Sequence, residues 1–378
     1  MYKKIIVGIV IALIAITSLY IACKQSPKTK TEIFTVNMGH IGPLTGETAI
    51  YGNWEKEGIE LALSDLSSAD SSLKLNVIHE DDKGEPTLAV SAIQKLISSD
   101  HTPYIIGATL SSTTLACAPI AEKNKVVLIT PSAQSPKISE AGDYTFMLFV
   151  SSSIEGKYLA NLADSFHLKS VAMITVNNDY GMGLQKVLET EMSHRNIKIL
   201  NEESFESNNK DFRTQLTKIK QSKPDGIFML AYPTDIANIL LQIQGLGIKS
   251  HLLAPDAFEA DEIIKTAGSA AEGVVYVYPI LPNQELTKSV SEAFKSKYGK
   301  DMNVYNATGY DAVKIAYTII KKLRGEGKSV TGENIKNELY KLKDFPGVSG
   351  PITFDKNGDV TERPMENRVV KDGKFQKL

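Results

Sequence analysis

From Phe34 onward the chain alternates short apolar runs with longer amphipathic stretches. Residues 34–38, 74–77, 104–107 and 126–130 have the length and apolar character of strands. Between them, 51–66 carries Trp54, Gly58, Leu61, Ala62 and Leu66 on one helical face, 86–97 opens with Pro in its first turn, and 113–123 is apolar at helical spacing. Strand and helix in this order predict a parallel sheet with helices on both faces.

A second series of the same kind begins near 153. Helices are predicted over 154–166, 181–194, 211–221 (with Phe212, Leu216 and Ile219 aligned) and 234–246. Strands are predicted over 171–176, 197–204, 226–231, 251–254 and 274–278. Two similar series imply two lobes rather than one large sheet. Three further helices, 285–298, 305–323 and 331–342, have no clear strand between them and are expected to return to the first lobe. Strands at 352–354 and 368–370 are then expected on the second. The fold class is α/β: two doubly wound parallel-sheet lobes joined by three hinge crossovers, near 149–152, 279–282 and 345–350. The expected boundaries are 34–150 with 280–344 for lobe 1, and 151–279 with 345–378 for lobe 2. Several crossovers give a hinge a defined axis.

The segment before the lobes has a different pattern. Lys3 and Lys4 precede an apolar run over 5–21, then Ala22, Cys23 and a polar stretch over 24–31. A basic start, an apolar core and a small residue form a secretory signal. Cys directly after the small residue resembles a bacterial lipoprotein signal, although Tyr20 stands where Leu is usual. Residues 1–22 are therefore expected to be a signal peptide, with 23–33 a lipidated Cys23 and its tether. An uncleaved spanning helix is the alternative. Both place the lobes outside the cytoplasmic membrane, and several acyl chains on one Cys hold a protein there firmly. The second cysteine, Cys117, lies in an apolar helical stretch with nothing basic beside it, so a buried inert thiol is expected.

Composition narrows the chemistry. Lys plus Arg is 42 and Asp plus Glu is 44, a net charge of -2, which argues against a nucleic-acid partner. None of the six His has metal-ligand spacing, and neither a nucleophile elbow nor a phosphate loop occurs. Gly181 and Gly183 are half of a dinucleotide loop, with Lys186 where the third Gly belongs. The run from Asp355 to Asp359 fits a hairpin turn better than a calcium loop. Asp81 and Asp82 fit a solvated turn better than an acid/base dyad. No enzyme activity, cofactor or metal is expected.

Binding signals are stronger. Ser111, Ser112, Thr113 and Thr114 stand at a helix N-terminus, where hydroxyls, amides and the helix dipole hold an anion. Thr130, Pro131, Ser132, Ala133, Gln134 and Ser135 follow the next strand, so both clusters fall at the C-terminal ends of adjacent parallel strands. On the second lobe, Tyr180, Tyr232 and Asp256 follow three strands. Asp256 suits an ammonium group, and a Tyr face attracts a cation.

These residues, with Gly42, Pro43, Leu44, Thr45 and Gly46, Tyr51 and Gly52, Tyr310, Asp311 and Ala312, and Phe354 with Asp355, carry a resemblance. From Thr35 to Val370 the chain resembles the branched-chain amino acid (Leu/Ile/Val-type) solute-binding proteins of ABC transporters, of the type I periplasmic-binding fold. The resemblance implies that Ser111 and the loop of Ser132, Ala133 and Gln134 hold a ligand carboxylate. It implies that Asp256, with the Ser132 carbonyl, holds the ammonium, and that Tyr51, Tyr180 and Tyr232 wall the site. Gln134 stands where amino-acid binders often have Thr, and Asp256 where some have Glu. The implied partners are an amino acid and an ABC permease, with the membrane reached through lipid. A sensor for a signalling partner, or a receptor for a small amide or aromatic acid, is the alternative.

Overall fold

A computed structural model describes residues 33–70 and 72–378, with Tyr2 and Gly8 besides. The rest of the expected signal, Cys23 and the tether lie outside the described residues. Among the described residues no helix is long and apolar enough to cross a membrane.

The first series builds β1 (Phe34–Gly42), α1 (Ala49–Ala69), β2 (Leu73–Asp81), α2 (Pro86–Ser98), β3 (Tyr104–Ile106), α3 (Ser111–Asn124), β4 (Val127–Thr130) and β5 (Thr145–Met147). Its five strands are parallel in the order β2-β1-β3-β4-β5. The β1–β2 register sets His40 opposite His79.

The second series builds α4 (Ser152–Ser165), β6 (Ser170–Val176), α5 (Asp179–His194), β7 (Lys198–Phe205), α6 (Arg213–Ser222), β8 (Gly226–Leu230), α7 (Pro233–Leu246), β9 (His251–Ala254), α8 (Asp261–Ala267) and β10 (Val275–Pro279). These strands are parallel in the order β7-β6-β8-β9-β10. β4 and β8 are buried throughout, and apolar but for Thr130 at the end of β4, as expected of strands covered on both faces. The chain ends with α9 (Glu285–Tyr298), α10 (Val304–Gly325), α11 (Gly332–Leu339), β11 (Phe345–Gly347), β12 (Gly350–Ile352), β13 (Met365–Lys371) and β14 (Lys374–Lys377). α9, α10 and α11 do return to the first lobe: Val290, Phe294, Ile315, Ile319 and Leu339 pack in one core with Met38, Ile59 and Ile129. β13 and β14 extend the second sheet as antiparallel edge strands.

Two glycines let α10 lie against α1. A Cβ at Gly58 would meet the Asn306 carbonyl oxygen at 1.9 Å, and one at Gly309 would meet the Glu55 carbonyl oxygen at 2.5 Å. This crossing seats Glu55 in the interior.

One expectation fails. Residues 352–354 were expected on the second lobe, but Val348, Ile352, Phe354 and Val360 belong to the first lobe's core. The Asp311 carboxylate explains it, accepting from the Val348 N–H at 2.7 Å and the Ser349 N–H at 2.8 Å. Asp359 then bridges to Met147 at the sheet edge. The third crossing therefore falls after Val360, not at 345–350. There Arg363, 5% exposed, donates to the Ser349 carbonyl at 2.6 Å and the Leu148 carbonyl at 3.1 Å, tying the third crossing to the first. The hairpin turn between Phe354 and Val360 is present.

Candidate functional site

All eight predicted binding residues line one cavity between the lobes: Tyr51, Ser111, Ser132, Ala133, Gln134, Tyr180, Tyr232 and Asp256. Its empty space, solvent at the open mouth included, is about 310 Å³.

The first-lobe face is built from dipoles. α3 starts at Ser111 after Leu110, and no side chain caps its first turn. Its leading amides are left without a side-chain cap, at the helix end whose dipole favours negative charge. The loop amides are engaged locally. Ala133 N–H donates to Thr130 Oγ1 at 3.0 Å, and the N–H groups of Gln134 and Ser135 donate to Ser111 Oγ at 3.3 and 3.2 Å. The Ser111 hydroxyl hydrogen is not used by either bond. Ser132 Oγ and Thr109 Oγ1 both donate to the carboxyl of Glu55, Thr109 at 2.7 Å. Glu55 is fully buried, which raises its pKa to about 8 against the pull of those two hydroxyls.

The second-lobe face carries a charge. Asp256, 1% exposed, begins a one-turn helix directly after β9 and Pro255. Its Oδ2 accepts from Tyr305 Oη at 2.7 Å and its Oδ1 from Gln134 Nε2 at 3.0 Å. Its own N–H donates to Glu155 Oε1 at 2.7 Å. Glu155 is wholly buried, and burial, then the negative Asp256 beside it, push its pKa well up. The two departures from the amino-acid-binder pattern thus meet each other. The longer Gln134 spans the cleft to the shorter Asp256.

Aromatic rings form the walls. Tyr180 stacks on Tyr232 at 5.3 Å between centroids, and Tyr51 stands edge-on to Tyr305 at 5.1 Å and to Tyr232 at 6.0 Å. The hydroxyls of Tyr51 and Tyr180 are buried without a protein partner. α5 places Tyr180 because Asn178 caps that helix, accepting from the Tyr180 and Gly181 amides.

At the cleft rim, Asp179 joins the lobes. Its carboxylate accepts from Ser112 Oγ at 2.9 Å and from Lys137 Nζ at 2.8 Å. Burial raises its pKa, but the Lys137 and Ser112 hydrogen bonds outweigh that and leave it lowered.

Residues 35–374 match the family model described as periplasmic binding protein. The chain belongs to that family. This periplasmic binding protein is 25% identical over 331 residues to the leucine-, isoleucine-, valine-, threonine- and alanine-binding protein of Pseudomonas aeruginosa, covering 86% of this chain and 87% of that protein. A leucine-binding protein of Thermotoga maritima is similar in structure, with a TM-score of 0.85, 29% identity, and coverage of 91% of this chain and 97% of that one. So is a branched-chain amino acid transporter substrate-binding protein of Streptococcus pneumoniae in complex with isoleucine, with a TM-score of 0.82, 26% identity, and coverage of 90% and 98%. The expected two-lobed α/β fold is the fold of these proteins.

Four further residues line the cavity of this periplasmic binding protein, none of which the sequence patterns assigned to the site: Thr109, Leu110, Ala257 and Tyr305. Tyr305 opens α10, a helix whose apolar spacing marks it as core, and its place at the cleft depends on the return crossing. Glu55 and Glu155, which support the lining from behind, did leave a signal. Each is a carboxyl on the buried stripe of its helix, beside Gly52, Gly58 and Ile59 or Ser152, Gly156 and Leu159. Asp82 corrects another expectation. It is fully buried, with a pKa pushed up to about 7 chiefly by burial, although its Oδ1 still accepts from the Gly84 amide of the turn at 2.8 Å; Asp81 holds the Leu44 and Lys83 amides at 2.9 and 3.0 Å. Cys117 is buried, and burial pushes its thiol up to about 12.

Proposed function

We propose that this periplasmic binding protein is an exported receptor that captures an amino acid between its lobes and delivers it to an ABC permease, held at the membrane by lipid on Cys23. One observation carries the ligand class. Asp256 is a buried carboxylate at the cavity, and no Lys or Arg is among the residues lining it. A buried charge without a counter-charge is costly, so the ligand must bring the cation. The opposite face offers only dipoles that favour an anion: the first turn of α3 and the Ser111 hydroxyl. A small zwitterion satisfies both faces, and an aromatic acid satisfies one while placing its charge near Asp256. The names of the leucine- and isoleucine-binding relatives agree with this reading.

The energies suffice. Hydrogen bonds to charged groups contribute about 1.5–3 kcal/mol each. Four or five of them, less ordering and closure, give a micromolar complex near about -8 kcal/mol. Calorimetry against the free L-amino acids, with benzoates, small amides and sugars as controls, tests the proposal. Binding of a small apolar amino acid is expected, with affinity at least about 10-fold lower in Asp256→Ala. Silence across the amino acids, with a control bound instead, contradicts it.

A further inference from the structure

Behind the anion-holding face runs a chain of titratable groups with no part in the ligand contacts. Glu55 Oε2 lies 3.4 Å from His40 Nε2, His40 Nδ1 lies 2.8 Å from His79 Nδ1, and His79 Nε2 lies 3.1 Å from Glu60 Oε1. Glu55 and His40 are fully buried, whereas the Glu60 side chain is 44% exposed. The chain therefore leads from the cavity lining to solvent across two neighbouring strands. We propose that Glu55 sets the hydrogen-bond polarity of the anion-holding face: protonated, it frees one of the Ser132 and Thr109 hydroxyls to donate to a ligand carboxylate, and ionised, it takes both hydroxyl hydrogens for itself.

The argument is one of counting protons. An ionised carboxylate only accepts. With Glu55 ionised, the Ser132 and Thr109 O–H groups both donate to it, and their oxygens turn lone pairs toward the cavity they line. A ligand carboxylate then meets lone pairs, backed by a full negative charge. With Glu55 protonated, its O–H donates to one of those hydroxyls, whose hydrogen is released to point at the ligand. The proton leaves or arrives by His40 and His79, both of which stay neutral. Burial, then nearby Lys56, pull His40 down to about 3, and burial, then His40, pull His79 to about 4.

The other charged groups facing this cluster are Asp82, Lys56 and Glu60, of which Lys56 lowers and Glu60 raises the histidine pKa values. Asp82, after β2, interacts with Glu55 like charge to like, and disfavours ionisation of both. Lys56 and Glu60 act on the two histidines. α10 meets the Glu55 backbone at Gly309. Burial holds the Glu55 pKa near 8, inside a range where a receptor can be studied intact.

The inference rests on the amino-acid reading, and its test separates the two. Calorimetry is run at about pH 7 and about pH 9 with L-leucine, or with the tightest binder of the amino-acid panel where that differs. If only the Glu55-protonated form binds, a group titrating at about 8 costs about 10-fold in affinity between those conditions. In Glu55→Gln, whose amide donates at both, the two affinities agree within about twofold. Should that variant fail to fold, Ser132→Ala serves. With one of the two hydroxyls gone, the fall shrinks to below about threefold. Binding in the wild type that does not change with pH overturns the inference alone, as does an undiminished fall in whichever variant folds. Silence of the whole panel at both pH values contradicts the amino-acid reading and takes the inference with it.

Discussion

At the scale of single residues, the site is governed by buried carboxyls, and the titration of Glu55 has a definite stability consequence. Its folded-state pKa of about 8 stands above the ordinary 4.5. Between those values the native state keeps a proton that the unfolded chain has released. Stability relative to Glu55→Gln is therefore highest below about pH 4.5, falls by up to about 1.4 kcal/mol per pH unit as pH rises through the window, and levels off above about 8. Urea unfolding of both proteins at several pH values measures it, and parallel profiles contradict a buried neutral Glu55. Legibility at this scale was uneven. Ser111, Ser132, Asp256 and the tyrosines announced themselves as polar residues at strand ends, where ligands of open α/β sheets sit. Glu55 and Glu155 sat inside apolar stripes, where the pattern marks core. Which hydroxyl or amide a buried carboxyl meets depends on packing that periodicity does not encode.

At the scale of elements, the long alternation of strands and helices was readable because each strand of the parallel sheets is a short apolar run between turn signals. β5 and β11, of three residues each, were not read as strands, whereas β3, equally short, was marked by its fully apolar run. β12 and its neighbours were misplaced because the anchor that holds them, Asp311, lies on α10, far back in the chain. Elements also make the closure latch. α5 brings Asp179 across the rim to Ser112 at the start of α3, and Lys137 closes over it. Lys137 is 69% exposed, so its ion pair contributes little; the Ser112 bond, half-buried, contributes more. Asp179→Ala is predicted to weaken ligand binding about fivefold, about 1 kcal/mol, through faster release, without touching the ligand. Trp54, the single tryptophan, stacks on Tyr305 at 5.3 Å and gives a stopped-flow fluorescence signal for that release. An unchanged release rate removes Asp179 from the closure mechanism.

At the scale of the molecule, two sheets of similar build face each other across a cavity, and three crossings behind it form the hinge. Arg363 ties two of those crossings through the Ser349 and Leu148 carbonyls. On the proposed function, ligand stabilises a closed form by contacts that only that form offers to both lobes. Small-angle scattering is expected to record a smaller radius of gyration with the bound amino acid than without it, and no difference would mean that capture does not proceed by closure. The two-lobed plan was legible from the doubling of the α/β series, but the place of the third crossing was not, since it rests on one buried carboxylate.

The most direct test is a crystal structure of the protein with its tightest-binding amino acid. The ligand is expected in the cavity between Ser111 and Asp256, its carboxylate on the first turn of α3 and the Ser111 and Ser132 hydroxyls, and its ammonium on Asp256. Density in any other place, or a ligand turned so that its carboxylate meets Asp256, would contradict the account.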